Sequence, residues 1–257
     1  MIFAFGCTKS WYKYLSVNLY SLLKNNPKTK KVYLLIESEN MEDVPYLSQL
    51  KKDYNVEFEL INFNNIKKNY IKDSNPNIDT PYTDYAFCKI ILPDVVKEDK
   101  VIYLDMDTVV TKDVSRLWNW DLGNNIVAGC LDNVKRSAYF NTLEIGNDGK
   151  YINTGVMLMD LKRMREEKII EKSFDILNSK KLKFPDQDAL NIVCQGMIQY
   201  IPSLYNQAYY VTLPMAILDY VKIWHFPGPK TDWLAINCFS ENWYKAEEEF
   251  YNKYVQK

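Results

Sequence analysis

The stretch Val101-Ile102-Tyr103-Leu104-Asp105-Met106-Asp107 determines both the predicted fold and the predicted site. Its first four residues are apolar, which is typical of a short strand buried on both faces. Residues two apart in extended backbone point the same way, so both carboxylates would face one side at the carboxyl end of the strand. Two hard oxygen ligands there suit Mg²⁺ or Mn²⁺ bridging to a diphosphate. A solvated turn or a helix cap is the alternative interpretation, because Asp-x-Asp also occurs by chance.

Strand and helix patterns alternate on either side of this stretch. Apolar runs predict further strands at Phe3–Cys7, Val32–Ile36, Val56–Ile61, Ile126–Leu131, Val156–Met159, Met197–Ile201 and Val221–Phe226. Helical spacing predicts helices at Tyr12–Leu23, Met41–Tyr54, Thr83–Ile91, Leu161–Leu177 and about 240–256. The alternation predicts a single α/β domain over residues 1–257, with a mainly parallel sheet covered on both faces. Such sheets bind ligands at the carboxyl ends of their strands.

Composition and charge narrow the possible partners. The chain has 257 residues, with 32 Lys and Arg against 33 Asp and Glu, so it lacks the basic field expected of a nucleic-acid-binding protein. Its five cysteines are odd in number and contain no CxxC pair, which predicts buried thiols in a reducing compartment. The apolar N-terminus lacks a charged leader, and no run has bilayer-spanning length. We therefore predict a cytoplasmic protein.

The only histidine of the chain, His225, opens a loop rich in glycine and proline. The sequence there is Trp224-His225-Phe226-Pro227-Gly228-Pro229-Lys230. Imidazole is a competent third ligand for Mn²⁺, and a nearby lysine could meet phosphate oxygens. A lone histidine is more often a satisfied structural group. The loop favours a ligand contact, because its glycine lets backbone approach a phosphate closely.

Two further polar motifs begin predicted elements. Asn153-Thr154-Gly155 opens the strand that continues at Val156, and its amide could hydrogen-bond sugar hydroxyls. A simple turn is the alternative for this motif. Pro185-Asp186-Gln187-Asp188 begins a helix whose first N–H groups need acceptors. Asp186 could be the helix N-cap, or the two acids and the amide could bind a sugar beside its anomeric carbon.

In this order and spacing, the four motifs resemble those of glycosyltransferase family 8, which includes glycogenin and bacterial lipopolysaccharide galactosyl- and glucosyltransferases. The resemblance covers Phe3 to Trp233. It rests on Tyr103-Leu104-Asp105-Met106-Asp107-Thr108, Tyr151-Ile152-Asn153-Thr154-Gly155-Val156, Asp186-Gln187-Asp188-Ala189-Leu190-Asn191 and His225-Phe226-Pro227-Gly228. It implies a GT-A fold with a Rossmann-like nucleotide-binding sheet, a UDP-sugar donor and retention of anomeric configuration.

The resemblance also implies roles for individual residues. Asp105, Asp107 and His225 would hold Mn²⁺, with Mg²⁺ as an alternative. Gln187 and Asp188 are the catalytic candidates nearest the anomeric carbon, and Asp132 would contact the acceptor sugar. The donor would be bound by Gly6, Thr8, Trp11, Lys89, Met106, Asn153, Thr154, Asp186, Gly228 and Lys230.

One position departs from the family pattern. The family lysine lies six residues after the histidine, where this chain has Thr231, while Lys230 comes one residue earlier. Either Lys230 reaches the diphosphate through a shifted loop or the contact is lost. We favour the shifted loop, because a flexible lysine side chain can cover a one-residue offset.

The predicted function is transfer of a hexose, glucose or galactose, from a UDP-sugar to a glycan, glycolipid or glycoprotein. A covalent intermediate and front-face attack both remain open as retaining mechanisms. One rival is a sugar nucleotidyltransferase, but Gly6-Cys7-Thr8-Lys9 lacks the repeated glycines of its phosphate loop. Another rival is an inactive protein that binds UDP-sugar or glycan.

The charge of the C-terminal helix limits the predicted membrane contact. Glu247-Glu248-Glu249 lies among scattered lysines, so the helix has mixed charge and no basic amphipathic face. This pattern predicts at most transient contact with the inner face of a membrane. The sequence does not indicate an oligomeric state.

Overall fold

The computed structural model describes residues 1–78, 84–146, 149–208, 214–228 and 240–256. Its main sheet has seven strands in the spatial order β3-β2-β1-β4-β7-β6-β8. They are β1 (Ile2–Gly6), β2 (Lys31–Ile36), β3 (Glu57–Asn62), β4 (Lys100–Leu104), β6 (Val127–Leu131), β7 (Ile152–Asp160) and β8 (Ile198–Tyr200). Four of the six strand pairs are parallel, which confirms the predicted mainly parallel sheet.

Strand β7 runs against the rest of the sheet. It is antiparallel to both of its neighbours, β4 and β6. Leu104 at the end of β4 lies opposite Val156, so the beginning of β7 adjoins the carboxyl end of β4. The motif Asn153–Gly155 therefore lies at the sheet edge where the two aspartates follow β4. Nothing in the sequence indicated the direction of this strand.

A second sheet of three strands brings the histidine to the same edge. It consists of β5 (Thr108–Val110), β9 (Gln207–Ala208) and β10 (Ile223–His225). Strand β10 is antiparallel to β5, and His225 lies opposite Thr108, the residue after Asp107. In addition, the Phe226 N–H donates to the Asp107 carbonyl over 2.9 Å. The sequence predicted β10 but missed β5 and β9, which are too short to have a recognisable period.

Helices cover both faces of the main sheet, as predicted. They are α1 (Tyr12–Asn25), α2 (Leu47–Tyr54), α3 (Phe63–Ile66), α4 (Leu92–Val95), α5 (Ser115–Trp118), α6 (Leu161–Glu166), α7 (Ile169–Ser179), α8 (Pro185–Val193), α9 (Met215–Leu218) and α10 (Ser240–Tyr254). One apolar core lies between the sheet, α1 and α10, and the other between the sheet and helices α6 to α8. None of the helices in these ranges is both long enough and apolar enough to cross a membrane.

Three predicted helices differ in detail. The predicted helix 161–177 is two helices, because Lys168 adopts a left-handed conformation with φ 55° and ends the first of them. The predicted helix 41–54 begins only at Leu47, after a 3₁₀ turn over 41–43 and Pro45. Within the predicted helix 83–91, residues 84–89 form a 3₁₀ helix.

Candidate active site

Three side chains from two sheets meet at the carboxyl end of β4. One ligand atom from each of Asp105, Asp107 and His225 can be chosen so that all three lie within 4.8 Å of one another. The aspartates come from the turn between β4 and β5, and His225 is the last residue of β10. Two carboxylates and an imidazole form a ligand set suited to Mn²⁺. The structure therefore brings together the three residues predicted to hold a metal.

Two of these residues direct unpaired polar atoms at each other. His225 Nε2 lies 3.3 Å from Asp107 Oδ1 and 3.8 Å from Asp105 Oδ2. Both Nε2 and Asp107 Oδ1 are buried and have no hydrogen-bond partner in the part of the chain that the structure describes. Buried polar atoms are rarely left unpaired, because their desolvation is not compensated. A cation between the carboxylates and the imidazole lone pair would satisfy both atoms, so the residues present fit a divalent metal.

Gly155 leaves the space that this cluster occupies. A Cβ atom at this position would lie 2.2 Å from His225 Cε1 and 2.8 Å from Asp105 Oδ2. The Asp105 N–H donates to the Gly155 carbonyl over 2.8 Å, which holds the two backbones side by side. Glycine is therefore required here because the imidazole packs directly on the strand.

A helix residue that the sequence analysis missed holds the aspartate turn. The side-chain amide of Asn18, on α1, donates to the carbonyls of Asp105 and Met106 and to Thr108 Oγ1. Thr108 Oγ1 in turn donates to the Asp105 carbonyl over 2.8 Å. These contacts fix the direction in which the carboxylates point. Asn18 looked like an ordinary polar residue of an amphipathic helix, so the sequence carried no signal for this role.

Lys89 is buried between two carboxylates. Its Nζ lies 3.1 Å from Asp105 Oδ1 and 2.8 Å from Asp186 Oδ2, and only 3% of the residue is exposed. Burial by itself lowers its pKa, but the two carboxylates raise the pKa of Lys89 above its ordinary value. The lysine therefore joins the candidate metal ligand Asp105 to the helix residue Asp186. Asp186 is not the N-cap of α8, a position that belongs to Phe184.

Gln187 is buried, and both the oxygen and the nitrogen of its side-chain amide are hydrogen-bonded. Its Oε1 accepts a hydrogen bond from the Thr154 N–H over 3.1 Å, and its Nε2 donates to the Tyr151 hydroxyl over 3.1 Å. Thr154 is itself buried, and its Oγ1 lies 3.5 Å from Lys89 Nζ. Gln187 is thus oriented by the beginning of β7.

Asp188, the other catalytic candidate, is completely buried. Both oxygens of its carboxylate accept hydrogen bonds from other described residues. Oδ1 accepts a hydrogen bond from the Tyr151 hydroxyl over 2.5 Å, and Oδ2 accepts one from the Tyr139 hydroxyl over 2.6 Å. The Phe184 N–H also donates to Oδ2. Burial raises the pKa of Asp188, while these hydrogen bonds act to lower it. Hydrogen bonds to described residues hold both oxygens of this carboxylate in place, and the catalytic role expected for Asp188 stays a prediction.

Asp132 and Asn153 are linked through Asn206 to Nδ1 of the histidine, the ring nitrogen that does not face Asp105 and Asp107. Asn153 Nδ2 donates to Asp132 Oδ2 over 2.9 Å. Asn153 Oδ1 accepts from Asn206 Nδ2 over 2.8 Å, and His225 Nδ1 lies 2.8 Å from Asn206 Oδ1. Asn206 is a second residue that the sequence analysis missed, because it precedes a strand of only two residues.

The predicted nucleotide-binding residues follow β1. Gly6 ends this strand, and a Cβ there would lie 2.6 Å from Cys88 Cβ, so close packing also requires this glycine. Thr8 Oγ1 lies 3.0 Å from Ser10 Oγ. The half-buried ring of Trp11 contacts that of Tyr14, with the centroids 5.3 Å apart. Their predicted contacts with the donor stay predictions.

The remaining predicted donor-binding residues lie in the two loops beside the metal ligands. Met106 is half-buried between the two aspartates. Gly228 adopts φ 113°, a conformation that favours glycine. Lys230 lies outside the described residues, and so does Thr231, so the offset of the family lysine stays a prediction.

The chain resembles known glycosyltransferases both in its fold and in its sequence. The chain resembles the crystal structure of the galactosyltransferase LgtC in complex with donor and acceptor sugar analogues, with a TM-score of 0.78 at 20% identity. The match covers 100% of this chain and 97% of LgtC, which confirms the predicted GT-A-like α/β fold. The chain belongs to glycosyltransferase family 8, because residues 2–237 match the model described as "Glycosyl transferase family 8".

Curated relatives agree with this assignment. A candidate glycosyltransferase of Haemophilus influenzae is 32% identical over 75% of this chain and 59% of its own length. A lipopolysaccharide 1,2-glucosyltransferase of Escherichia coli K12 is 35% identical over 43% of this chain and 34% of its own length. The chain therefore spans about three fifths of the first relative and one third of the second.

Proposed function

We propose that this protein is a metal-dependent, retaining hexosyltransferase that moves glucose or galactose from a UDP-sugar to a carbohydrate-bearing acceptor. The observation that carries the proposal is the pair of unpaired atoms, Asp107 Oδ1 and His225 Nε2, 3.3 Å apart at the carboxyl end of β4. In a family 8 chain, such a pair is the expected place for a cation that meets a diphosphate. The relatives named above support a hexose as the transferred group and a glycan or glycolipid as the acceptor.

Asp105, Asp107 and His225 would hold the metal, which supplies positive charge against the negative charge that develops on the departing UDP. The residues around these ligands determine where that charge is held. Asn18 and Thr108 fix the aspartate turn, and Gly155 lets the imidazole reach it. Mn²⁺ suits the mixed carboxylate and imidazole ligands, and Mg²⁺ is the alternative.

Gln187 is the stronger of the two candidates for the residue beside the anomeric carbon. An amide has two N–H groups and two oxygen lone pairs, and the contacts to described residues use one of each. Gln187 can therefore contact the transferred sugar beside its anomeric carbon while it is held by the beginning of β7. Asp188 acts through Tyr151, whose hydroxyl accepts from Gln187 and donates to Asp188. Its proposed role is to position the amide.

The test is UDP release from a panel of UDP-sugars without acceptor, in the presence of Mn²⁺ or EDTA. The expected result is slow, Mn²⁺-dependent hydrolysis of one donor, and loss of that hydrolysis in Asp107→Asn. Calorimetric UDP binding without release from any donor would instead support the alternative of a UDP-sugar-binding protein. If the chain neither releases nor binds UDP, the proposal fails.

A further inference from the structure

We propose that Asp132 anchors a one-way hydrogen-bond chain, Asp132–Asn153–Asn206–His225, that holds His225 in the tautomer required of a metal ligand. The proposal rests on the metal site proposed above and assigns positioning roles to Asn206 and to Asp132. Neither residue is one of the three candidate metal ligands, Asp105, Asp107 and His225.

The hydrogen-bond chain is short, continuous and mostly buried, with only Asn153 half-buried. Its three links measure 2.9, 2.8 and 2.8 Å between donor and acceptor atoms. Asp132 and Asn206 are each 6% exposed, and His225 is 2% exposed. Hydrogen bonds shielded from water in this way are costly to leave unmade. The arrangement of donors and acceptors along the chain is therefore strongly constrained.

The direction of the chain is fixed at Asn153. An ionised carboxylate only accepts hydrogen bonds, so the amide nitrogen of Asn153 must face Asp132. A backbone N–H only donates, and the Gly155 N–H lies 3.0 Å from the amide oxygen of Asn153. The two ends of this amide are thus assigned independently by two groups that cannot exchange roles.

The orientation of the Asn153 amide determines the orientation of Asn206 and, through it, the tautomer of His225. Because the oxygen of Asn153 faces Asn206, Asn206 presents its NH₂ group there and its own oxygen to His225. That oxygen is an acceptor, so His225 Nδ1 must carry a proton and donate it. In a neutral imidazole the lone pair then lies on Nε2, the atom that faces Asp105 and Asp107. Hydrogen bonds of this kind commonly fix the tautomer of metal-binding histidines.

Asp132 is itself held in place. Its Oδ1 accepts a hydrogen bond from the Val134 N–H over 2.8 Å, so each carboxylate oxygen has a separate donor. An asparagine has only one oxygen and cannot serve both donors. Asp132→Asn should therefore weaken the anchor, whereas Asn206→Leu removes the acceptor for Nδ1 and keeps a side chain branched at Cγ.

The single histidine of the chain makes the tautomer directly measurable. Tag-free, metal-free protein labelled with ¹⁵N contains one imidazole, and long-range ¹H–¹⁵N correlations report which ring nitrogen carries the proton. We expect the Nδ1–H tautomer in the wild type and in Asp175→Asn, a control that changes an exposed aspartate of α7. Asn206→Leu should show loss of the Nδ1–H form, and Asp132→Asn a mixture of the two tautomers.

Calorimetric titration with Mn²⁺ alone gives the second readout. Loss of such an outer partner typically weakens metal affinity about 10- to 100-fold, which we expect for Asn206→Leu, with a loss near 10-fold for Asp132→Asn. An Nε2–H tautomer in the wild type overturns the proposal. So does unchanged Mn²⁺ affinity in both variants. Because the tautomer is read without metal or substrate, it stays measurable if the proposed transferase activity fails.

Discussion

The two sides of the site differ in how completely their polar atoms are paired. We call Asp105, Asp107 and His225 the metal side, and Asp186, Gln187 and Asp188 the helix side. On the metal side, Asp107 Oδ1 and His225 Nε2 have no partner within the described residues. On the helix side, every polar side-chain atom of Gln187 and Asp188 has a hydrogen-bond partner. This difference supports the proposal of a metal on the metal side and of a structural role for much of the helix side.

Lys89→Met tests the link between the two sides and should have the largest effect on stability. It leaves the buried Asp186 and the half-buried Asp105 without their cation, and removal of one partner from a buried ion pair typically costs about 3–5 kcal/mol. Urea unfolding in EDTA should show this loss of unfolding free energy. Mn²⁺ should stabilise the variant more than the wild type, because it restores positive charge beside Asp105. A loss below about 1 kcal/mol in EDTA would argue against a structural ion pair.

Asp107→Asn should separate function from stability on the metal side. We expect Mn²⁺-dependent turnover to fall more than about 100-fold, equivalent to about 2.7 kcal/mol in the activation free energy. The unfolding free energy in EDTA should stay nearly unchanged, because Asp107 Oδ1 has no hydrogen bond to lose among the described residues. If unfolding weakens as much as turnover, the two sides do not differ in the way proposed.

Asp188→Asn should show the opposite pattern. The substitution replaces an acceptor of two tyrosine hydroxyls and a backbone N–H, and an unpaired buried donor costs about 1–3 kcal/mol. We expect the unfolding free energy to fall by about 2 kcal/mol, while calorimetric Mn²⁺ affinity stays within about threefold of the wild type. A fall in Mn²⁺ affinity without a loss of stability would assign Asp188 to the metal side instead.

Tyr139→Phe is the mildest change on the helix side. It removes one of the hydroxyls that donate to Asp188 and leaves Tyr151 to hold the other carboxylate oxygen. The loss of this hydrogen bond, and of the exposed one that the Lys183 N–H donates to the same hydroxyl, predicts a decrease of about 1–2 kcal/mol in unfolding free energy. Thermal unfolding should detect it, with UDP binding unchanged. Weaker UDP binding with unchanged stability would show that Tyr139 serves the ligand and not the scaffold.

The sequence predicted the local elements well because their signals are local. The apolar run before Asp105 and the helical spacing from Tyr12 identified β4 and α1 correctly. The metal ligands were predicted from residue chemistry and from family resemblance, and the structure brings them together. The predicted helix boundaries were wrong where the conformation of a single residue decides them, as at Lys168 with its positive φ.

Strand direction and long-range partners could not be predicted, since they depend on tertiary packing. Asn153 lies at the site only because β7 is antiparallel to β4, and apolar periodicity is the same in both directions. Asn18 and Asn206 are single amides whose partners lie far away along the chain. Lys89 was expected to bind the donor, and its pairing with two acids became visible only in three dimensions.

The pairing of β10 with β5 also determines when the metal site can exist during synthesis. Asp105 and His225 are 120 residues apart in the sequence, so a ribosome completes the aspartate turn long before it adds the imidazole. Contacts of such wide separation form late, because a long loop must close first. A nascent chain therefore carries two carboxylates that bind divalent ions weakly. The proposed three-ligand site is complete only once the small sheet has assembled, so metal capture would report the assembly of that sheet.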